Sequence, residues 1–383
     1  MVVPNIALVI HDLDLNNGQG RYVIELLRRL HPRAVFTVFS NTADPAFLAE
    51  HPAVRWCPVP AWRRRYLGAV FSFLLYSERA VRRARPDLIH AQGLSSWSAD
   101  VITVHMINAV RSKKLDGGQR RARAFSAIVT PVERAFYRQG RARHAIVMSR
   151  RLGRELTAEY GWRRPLSVIP HGTDTQLFRP AADGRERAGL RAELGIPGEG
   201  PVWLFVGEAV KGLKETIAQL PHFPAARLLV ISRSDPAPYR AHAEAMGVVS
   251  RVVFSGFTPR PERVYRAADV FVYPSPYEPF GMVVTEAMAS GLACIVGRQV
   301  GAAELMTDGR DGLLMDSGDG PMLRRHLEVL TDDPVHAARV GIAARETIQH
   351  HDWSACAEET WRVYQAGVSC GGGSVGGVES CHP

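Results

Sequence analysis

The sequence of 383 residues has few cysteines, few lysines and no long hydrophobic run. Its five cysteines are scattered and never form a Cys-x-x-Cys pair, so the sequence predicts neither a disulfide framework nor a zinc site. The longest largely apolar stretch, residues 69–76, is far shorter than the ~20 residues of a membrane-spanning helix. The first residues lack the positive charge of a signal peptide. We therefore expect a cytoplasmic protein.

The net charge of +9 is carried almost entirely by arginine, because only four of the 47 basic residues are lysines. A strongly basic chain can bind nucleic acid. Here, however, the basic residues are not interleaved with aromatic ones, and no nucleic-acid-binding module is recognisable. The sequence therefore predicts no nucleic-acid partner. The scarcity of lysine makes each one more informative, and Lys211 follows a predicted strand.

Short apolar runs alternate with helical stretches along both halves of the chain. The runs are residues 6–10, 35–39, 88–90, 101–104, 145–148, 166–169, 202–206, 228–232, 252–255, 270–273 and 292–296. Strands that alternate with helices form parallel sheets. Polar and glycine-rich sequence at 181–200 separates the halves. We therefore predict an α/β protein of two doubly wound domains.

Residues 274–297 form the most informative stretch, because they combine the end of one predicted strand, a short helix and a second strand. The turn at 278–281 is expected to open the helix, since Pro279 has a backbone angle suited to the first helical position. Gly291 can take the left-handed conformation that ends a helix. The helix would then start at the carboxyl edge of a parallel sheet.

The amides near Phe280, Gly281 and Met282 would point out of this edge, where a helix N-terminus attracts anions. This arrangement predicts a phosphate-binding corner, framed by Glu278 and Glu286. If the interval between the two acids were helical, they would lie roughly 12 Å apart, too far for the carboxylate pair of a glycosidase. We predict that they bind hydroxyl groups at opposite ends of a long ligand. Two solvated glutamates at a helix edge would give the same spacing.

Glu278-Pro-Phe-Gly followed by Glu286-Ala-Met-Ala-Ser-Gly resembles the Glu-x7-Glu signature of retaining glycosyltransferases of family four, which have the GT-B fold. Pro279 stands where a glycine is usual in that family. Residues 167–180 are similar to the family segment that marks the crossing between domains, with His171 where asparagine is usual.

The resemblance covers nearly all of residues 1–366 and implies the GT-B arrangement, in which two Rossmann-like domains face a central cleft. Residues 1–175 would form the N-terminal acceptor domain and residues 176–350 the nucleotide-sugar donor domain. Residues 351–366 would form a helix that crosses back to the N-terminal domain. The remaining residues, 367–383, are rich in glycine and serine and are predicted to be disordered.

The resemblance also implies roles for individual residues. Glu278 would hold the donor sugar and Glu286 the ribose. His105 ends an apolar strand and is expected at a carboxyl edge, and the Thr-Val-His that family members often carry there implies contact with a sugar hydroxyl. We therefore predict His105, Glu278 and Lys211 as catalytic residues. The predicted donor-binding residues are Gly18, Gly20, Gly207, Lys211, Glu278, Phe280, Gly281, Met282 and Glu286.

Two glycine-containing loops follow predicted strands. Gly18 and Gly20 would let backbone approach a ligand, and Asn17 tolerates the left-handed conformation, although a plain strand-to-helix turn explains this loop equally well. In the second half, family members carry an arginine and a lysine that grip the diphosphate. Here Glu208 occupies the usual place of the arginine, and Lys211 remains. An ammonium suits a diphosphate as a point charge.

We predict a retaining glycosyltransferase that moves a hexose-type sugar from a nucleoside diphosphate sugar, with a UDP-sugar as the expected co-substrate. The acceptor would be a hydroxyl of a cell-envelope glycan, a glycolipid or a small natural product. No cofactor or metal is expected, because helix-end amides and Lys211 would neutralise the diphosphate. Asp12-Leu-Asp14 lies in the wrong half for a metal-binding Asp-x-Asp. The alternatives are a sugar-nucleotide epimerase of the same fold and a non-catalytic sugar-nucleotide-binding protein.

Residues 62–85 are basic at both ends and apolar in the middle. Such a segment can hold a domain against anionic lipid headgroups, and the basic cluster at 111–143 would reinforce this contact if it faced the same way. A core-facing helix with solvated ends is the favoured interpretation. Peripheral attachment to the inner face of the membrane is the alternative.

Overall fold

The computed structural model describes residues 3–62, 66–115 and 120–371, and the structural statements below concern these residues. The chain divides into two compact units. Of the described residues, unit 1 comprises 3–62, 66–110, 120–169 and 354–371, and unit 2 comprises 111–115 and 170–353. The boundary therefore follows Ile169, whereas the sequence predicts it after residue 175. The hydroxyl of Thr173 donates to Oγ1 of Thr285 at 2.8 Å, which ties this segment to unit 2.

Unit 1 is built on parallel strands. The strands are β1 (Asn5–Val9), β2 (Asp12–Leu13), β3 (Val35–Ser40), β4 (Thr42–Ala43), β5 (Arg55–Pro58), β6 (Leu88–Gln92), β7 (Val101–Val104), β8 (His144–Val147) and β9 (Leu166–Val168). The helices of this part of the chain are α1 (Gly18–Leu30), α2 (Pro45–Glu50), α3 (Tyr66–Ala84), α4 (Asn108–Leu115), α5 (Arg120–Gln139) and α6 (Arg150–Tyr160).

The main sheet of unit 1 has the strand order β5-β3-β1-β6-β7-β8-β9, and its neighbouring strands run parallel. The chain moves from β1 through β3 to β5 and then returns to the other side of β1 at β6. The strand order therefore reverses between β1 and β6. The short strands β2 and β4 pair separately.

The core of unit 1 explains why its strands could be predicted. Parallel strands buried on both faces are near-continuous apolar runs, and Ala7, Val9 and Phe39 of this sheet are almost fully buried. They pack in one cluster with Phe73 and Val81 of α3. The favoured interpretation of α3 as a core-facing helix is therefore correct for this side of the helix.

Unit 2 is a second parallel sheet with its own helices. Its strands are β10 (Val202–Val206), β11 (Arg227–Ile231), β12 (Val252–Phe254), β13 (Val270–Tyr273), β14 (Ala293–Gly297) and β15 (Leu313–Met315). Its helices are α7 (Gly184–Glu193), α8 (Leu213–Ile217), α9 (Ala237–Ala245), α10 (Pro261–Ala267), α11 (Met282–Ala289), α12 (Gly320–Asp332) and α13 (Pro334–Ile348). The last helix, α14 (Trp353–Gly371), belongs to unit 1 from Ser354 onward.

The sheet of unit 2 has the order β12-β11-β10-β13-β14-β15, again with parallel neighbours. The chain runs outward from β10 to β12 and returns at β13, so the order reverses between β10 and β13. Ligands of doubly wound sheets bind outside the carboxyl ends of the strands at such a reversal. The loops after β10 and β13 are therefore the first places to look for a site.

The elements predicted from the sequence need two corrections. The strands β5 and β15 were not predicted, because β5 contains exposed residues at a sheet edge and β15 is only three residues long. The predicted disorder is wrong for residues 367–371, because α14 continues to Gly371. Residues 372–383 of the predicted tail lie outside the described residues. Within the described parts of the chain, no helix is long and apolar enough to cross a membrane.

Candidate active site

The loop after β13 enters α11 through a tight turn at Gly281. This residue has a φ of 92°, which favours glycine, and it caps the helix that begins at Met282. Pro279 lies in the loop, so the predicted helix start at Pro279 is wrong. Glu278 therefore precedes the helix and Glu286 lies within it. The separation calculated for a continuous helix does not apply to this pair.

The loop before α11 is fixed by backbone contacts with the segment after β14. The amide of Gly301 donates to the carbonyl oxygen of Glu278 at 2.9 Å, and the amide of Ala302 donates to that of Phe280 at 2.7 Å. A Cβ on residue 301 would lie 2.1 Å from the carbonyl oxygen of Pro279, so only glycine fits there. The backbone around Glu278 is therefore held in place by neighbouring backbone.

The predicted residues Lys211 and Glu278 form an ion pair. Nζ of Lys211 lies 2.7 Å from Oε2 of Glu278, and the hydroxyl of Tyr273 donates to the same oxygen at 3.0 Å. The two charged side chains are only 17% and 15% exposed. Glu208 is 57% exposed, with Oε2 3.9 Å from the same ammonium. Lys211 therefore stands between two carboxylates.

The charges of this cluster follow from its surroundings. Burial on its own would lower the pKa of Lys211, but the carboxylates of Glu278 and Glu208 outweigh it and raise the pKa above its usual value. Burial, together with the charge of Glu278, raises the pKa of Tyr273 well above its usual value. At neutral pH the amine is therefore an ammonium and the phenol is a hydrogen-bond donor.

Two glycines allow the loop after β10 to pack against the end of β13. Gly207 has a φ of 138°, and a Cβ there would lie 3.3 Å from Cε2 of Tyr273. Gly212 has a φ of 109°, and a Cβ there would lie 2.6 Å from Cγ of Pro274. Gly207 is a predicted donor-binding residue, and its position also leaves room for the tyrosine that holds Glu278.

Two further predicted residues of this corner are buried. Glu286 is 6% exposed, and the hydroxyl of Tyr265 donates to its Oε2 at 2.7 Å. The ring of Phe280 packs edge-on against that of His171, with a centroid distance of 5.1 Å. Burial lowers the pKa of His171 to about 3, so its ring is neutral at physiological pH. Phe280 can therefore offer a ligand its backbone amide, whereas its side chain belongs to the core.

A pocket of about 380 Å³ lies at the carboxyl ends of β11 and β12. Cζ of Arg233 stands 4.0 Å from the ring centroid of Phe257, and both residues line the pocket. Oγ of Ser234 accepts a hydrogen bond of 3.0 Å from the amide of Ala209, which joins the pocket wall to the loop that carries Lys211. This pocket is absent from the predictions made from the sequence. In the sequence, its only signal is the polar and glycine residues that directly follow two strands.

The third predicted catalytic residue, His105, belongs to unit 1. It follows β7 directly, as expected, and is 9% exposed. Its Nε2 lies 2.8 Å from Oε1 of Gln92. The ring of Tyr22 packs edge-on against it, with a centroid distance of 5.6 Å. Neither partner is predictable from the sequence around His105, because Gln92 belongs to β6 and Tyr22 to α1.

The glycine loop after β1 forms a helix start. Gly18 is the first residue of α1, and the side chain of Asn17 accepts a hydrogen bond of 2.6 Å from the amide of Gly20. Asn17 has a φ of −124°, so the left-handed conformation considered for it is wrong. Its capping role requires an extended backbone. A Cβ on residue 20 would lie 2.0 Å from the carbonyl oxygen of Asp14, so close packing requires glycine here.

The acidic residues near this loop are engaged with neighbouring side chains. Asp12 accepts a hydrogen bond of 2.6 Å from Thr42, and Asp14 accepts one of 2.8 Å from Asn17. Among the residues that the structure describes, no group of three or more His, Cys, Asp or Glu side chains could hold a metal ion.

Two family models together match most of the chain. The model described as Glycosyltransferase Family 4 matches residues 16–177, and the model described as Glycosyl transferases group 1 matches residues 186–347. A D-inositol 3-phosphate glycosyltransferase of Xylanimonas cellulosilytica is 29% identical over 91% of this chain and 91% of its own length. A protein of the same description from Corynebacterium glutamicum is 34% identical over 53% of this chain and 52% of its own length.

Solved structures share the fold. A sucrose-phosphate synthase from Thermosynechococcus elongatus superimposes with a TM-score of 0.80 and 24% identity, covering 96% of this chain and 100% of its own. Anabaena HepE, in complex with UDP and glucose, gives a TM-score of 0.76 and 20% identity over 95% and 100% of the two chains. The two doubly wound units therefore have the GT-B fold of glycosyltransferases. Within this class, the chain belongs to the family-four glycosyltransferases, the glycosyl transferases group 1.

Proposed function

We propose that the chain transfers a hexose-type sugar from a nucleoside diphosphate sugar to a hydroxyl acceptor, with retention at the anomeric carbon. The observation that carries this proposal is the contact between Lys211 and Glu278, on the loops after β10 and β13. A cation suited to a diphosphate and a carboxylate suited to sugar hydroxyls stand side by side there. This is the place where doubly wound sheets bind ligands.

The diphosphate is proposed to bind between Lys211 and the start of α11. The amides of Phe280, Gly281 and Met282 lie at this helix start, which no side chain caps. A helix N-terminus carries partial positive charge and free donors. An ammonium donates three hydrogen bonds, so Lys211 can keep its bond to Glu278 and still contact phosphate oxygens. Because these groups neutralise the leaving diphosphate, we propose a reaction that requires no metal ion.

The sugar and the ribose are proposed to bind to the two acids. Tyr273 and Lys211 both bond to Oε2 of Glu278, which fixes the carboxylate as an acceptor for sugar hydroxyls. Tyr265 fixes Glu286 in the same way inside α11, where we propose that it accepts from the ribose. Neither acid is proposed as a covalent nucleophile.

The base is proposed to bind in the pocket at the ends of β11 and β12. Its volume of about 380 Å³ suits a nucleobase. The guanidinium of Arg233 and the ring of Phe257 provide planar surfaces for stacking. Because the Anabaena structure contains UDP and glucose, UDP-glucose is the first donor to test.

The proposed step breaks the bond between the anomeric carbon and the leaving phosphate oxygen and forms a bond from the acceptor oxygen to the same face of that carbon. The proton of the acceptor hydroxyl passes to the leaving phosphate oxygen. Atoms and charge balance without a protein base. Glu278 orients the sugar and Lys211 stabilises the charge that develops on the diphosphate. Retention follows because attack and departure occur on one face.

The acceptor is proposed to be a cell-envelope glycan, a glycolipid or a small molecule reached from the cytoplasm. The outward side of α3 supports attachment to the inner face of a membrane. Phe71 and Leu75 are 38% and 51% exposed, and Arg79 and Arg82 continue the same helix face. Apolar residues followed by arginines along one face suit insertion beside anionic headgroups. Of the predicted segment 62–85, residues 63–65 lie outside the described residues.

A second basic segment contributes to the same region. Arg82 of α3 and Arg85, which follows this helix, line a pocket of about 470 Å³ together with Arg141 and Arg143, which precede β8. Part of the predicted basic cluster 111–143 therefore stands beside the end of α3. Several arginines on one surface are attracted to anionic lipid.

Co-sedimentation with phosphatidylglycerol vesicles tests this attachment. We expect binding that weakens with salt, and a loss of binding in the double variant Phe71→Gln, Leu75→Gln. Val335→Gln, which removes a 71% exposed apolar side chain of α13, is the matched control and should bind normally. Equal binding of all three proteins would overturn the membrane proposal.

Incubation with labelled UDP-sugars, first without and then with glycan, glycolipid and inositol phosphate acceptors, tests the enzyme proposal. We expect transfer, with NMR of the product showing the anomeric configuration of the donor. An inverted product would overturn retention. An altered nucleotide sugar formed without acceptor would identify an epimerase. Donor binding with neither transfer nor hydrolysis would identify a non-catalytic binding protein.

A further inference from the structure

Unit 1 contains a buried network of hydrogen-bonded side chains that ends at His105. Nε2 of His105 lies 2.8 Å from Oε1 of Gln92, and Nε2 of Gln92 lies 3.3 Å from Nε2 of His90. Nδ1 of His90 is 2.7 Å from the hydroxyl of Tyr364 on α14, and Oγ1 of Thr103 is 2.7 Å from its Nε2. Each of these side chains is less than a tenth exposed. This network therefore links α14 to His105, the residue after β7.

The donors and acceptors of this network are consistent with one arrangement of protons. Oε1 of Gln92 can only accept, so Nε2 of His105 carries the proton that it donates. The amide nitrogen of Gln92 can only donate, so Nε2 of His90 accepts, and the hydroxyl of Thr103 is the donor in its contact with the same nitrogen. His90 then has its proton on Nδ1 and donates it to the hydroxyl of Tyr364. Burial lowers the pKa of His90 to about 3, so its ring stays neutral and keeps one donor and one acceptor.

The ring of His105 is also held by a second tyrosine. Tyr22 of α1 packs edge-on against the ring, at 75°, and its hydroxyl lies 3.3 Å from Oγ1 of Thr103. Burial raises the pKa of Tyr22 and that of Tyr364, so both phenols keep their protons. Buried networks of this kind are rigid when each member has a partner. The orientation of His105 therefore depends on three elements besides its own.

We infer that Gln92, His90 and Tyr364 are positioning residues that hold His105 as the tautomer protonated at Nε2. A hydroxyl group that contacts Nδ1 of His105 must then be the donor of that hydrogen bond. The inference rests on the proposed function only in giving His105 a sugar hydroxyl to contact. The protonation pattern belongs to unit 1 and can be measured without any turnover.

Long-range ¹H–¹⁵N correlation of the histidine rings in the full-length protein measures this pattern. Signals are assigned with His105→Asn and His90→Asn. Near neutral pH we expect the nonprotonated nitrogen to be Nδ1 in His105 and Nε2 in His90. A His105 ring protonated at Nδ1 would overturn the inference, whatever the activity of the protein.

Two substitutions of Gln92 separate its two contacts. Gln92→Glu keeps an acceptor for His105, so the tautomer of His105 should be unchanged. The carboxylate has no N–H for His90, so the proton of His90 should move to Nε2. Gln92→Leu removes the acceptor, and His105 should become a mixture of tautomers. An unchanged His105 spectrum in Gln92→Leu contradicts the proposed positioning.

The kinetic test compares the same variants once a donor and acceptor are known. Gln92→Leu should lower kcat about tenfold, the effect of one well-placed hydrogen bond, with little change in the KM for the donor. Gln92→Glu should retain most of the activity. An unchanged kcat in Gln92→Leu would overturn the positioning role, whereas a wild-type protein without any transfer activity would overturn the proposed function alone.

A matched pair of tyrosine variants tests the end of the network that lies at Tyr364. Tyr364→Phe removes the acceptor for Nδ1–H of His90 and should shift the signals of His90 and His105. Tyr160→Phe removes another buried hydroxyl of unit 1, one that bonds to Glu133, and should leave both histidines unchanged. Equal shifts in the two variants, or no shift in Tyr364→Phe, would contradict the link to α14.

Discussion

Nζ of Lys211 lies 2.7 Å from Oε2 of Glu278, and the two residues stand on loops that follow neighbouring strands at the reversal of strand order in unit 2. The lysine expected to contact the diphosphate and the glutamate expected to contact the sugar are therefore joined directly. Removing one member of a mostly buried ion pair leaves the other charge unpaired. Each substitution at this site must therefore be interpreted through its effect on the partner.

Glu278→Gln should separate binding of the nucleotide from transfer of the sugar. The amide is a weaker acceptor for sugar hydroxyls, so we expect a loss of roughly 100-fold in kcat/KM. Lys211 loses a competing carboxylate, so the affinity for UDP alone should be unchanged or higher. Titration calorimetry with UDP and initial rates with the donor measure the two effects. Glu328→Gln, an exposed change on α12, is the control. Equal losses of UDP affinity and transfer would contradict the assigned roles.

Glu208→Gln should strengthen donor binding. Its carboxylate lies 3.9 Å from the ammonium of Lys211 and competes with a diphosphate for that charge. Ion pairs with an exposed partner contribute about 0.2–1 kcal/mol, so the KM for the donor should fall by a factor of about 1.4 to 5. The gain should shrink as salt concentration rises. A higher KM in this variant would show that Glu208 contacts the donor itself.

Gly301→Ala should damage the site through the backbone. The new Cβ would meet the carbonyl oxygen of Pro279 at 2.1 Å, so the loop that carries Glu278 must shift. We expect a loss of about 1–3 kcal/mol in the free energy of unfolding and weaker donor binding. Gly189→Ala in α7 meets no atom within 4 Å and should be neutral or stabilising. Denaturant unfolding and a thermal shift with UDP measure both effects, and equal behaviour of the two variants would contradict the prediction.

Glu133→Gln should stabilise unit 1 at high pH. Glu133 of α5 is 6% exposed and accepts hydrogen bonds from Tyr160 and Asn108. Burial raises the pKa of Glu133 to about 7, above its value in an unfolded chain. The folded state therefore binds this proton more tightly, and that stabilisation is complete below about pH 4.5 and is lost as pH rises through about 7.

The glutamine does not titrate, so the unfolding free energy of the variant relative to wild type should rise by up to about 3 kcal/mol between pH 5 and 8. Urea unfolding at both pH values measures this difference. Glu359→Gln, an exposed change on α14, should show no such dependence. If the unfolding free energy of the variant relative to wild type instead falls as the pH rises, Glu133 is ionised in the folded protein over this range.

The sheets of both units were largely predictable from local sequence. A strand buried on both faces must be apolar along its whole length, so the runs that became β1, β10 and β13 are visible without any partner. The end of α11 was equally predictable from local sequence. Glycine readily takes the left-handed conformation that ends a helix, and Gly291 has a φ of 72°. The start of α11 was not predictable from local sequence, because the turn at Gly281 is set by contact with the segment after β14.

The site itself was only partly predictable. Lys211 and Glu278 were chosen as separate residues, one from its place after a strand and one from the family signature. Their contact could not be derived, because it depends on which strands become neighbours. Tyr273 was part of an apolar run, and nothing local distinguished its hydroxyl. The pocket of Arg233 and Phe257 arises from two strand ends that are adjacent only in the folded sheet.

The sequence alone determined the class of fold, the family and most of the residues at the corner of α11, because apolar periodicity, glycine positions and a short signature act over a few neighbouring residues. The tertiary structure decided which groups these residues meet. It joined Lys211 to Glu278, placed Tyr265 on Glu286, and connected His105 through Gln92 to the last helix. These contacts span many positions along the chain, and only the pairing of strands and the packing of helices bring their atoms to hydrogen-bonding distance.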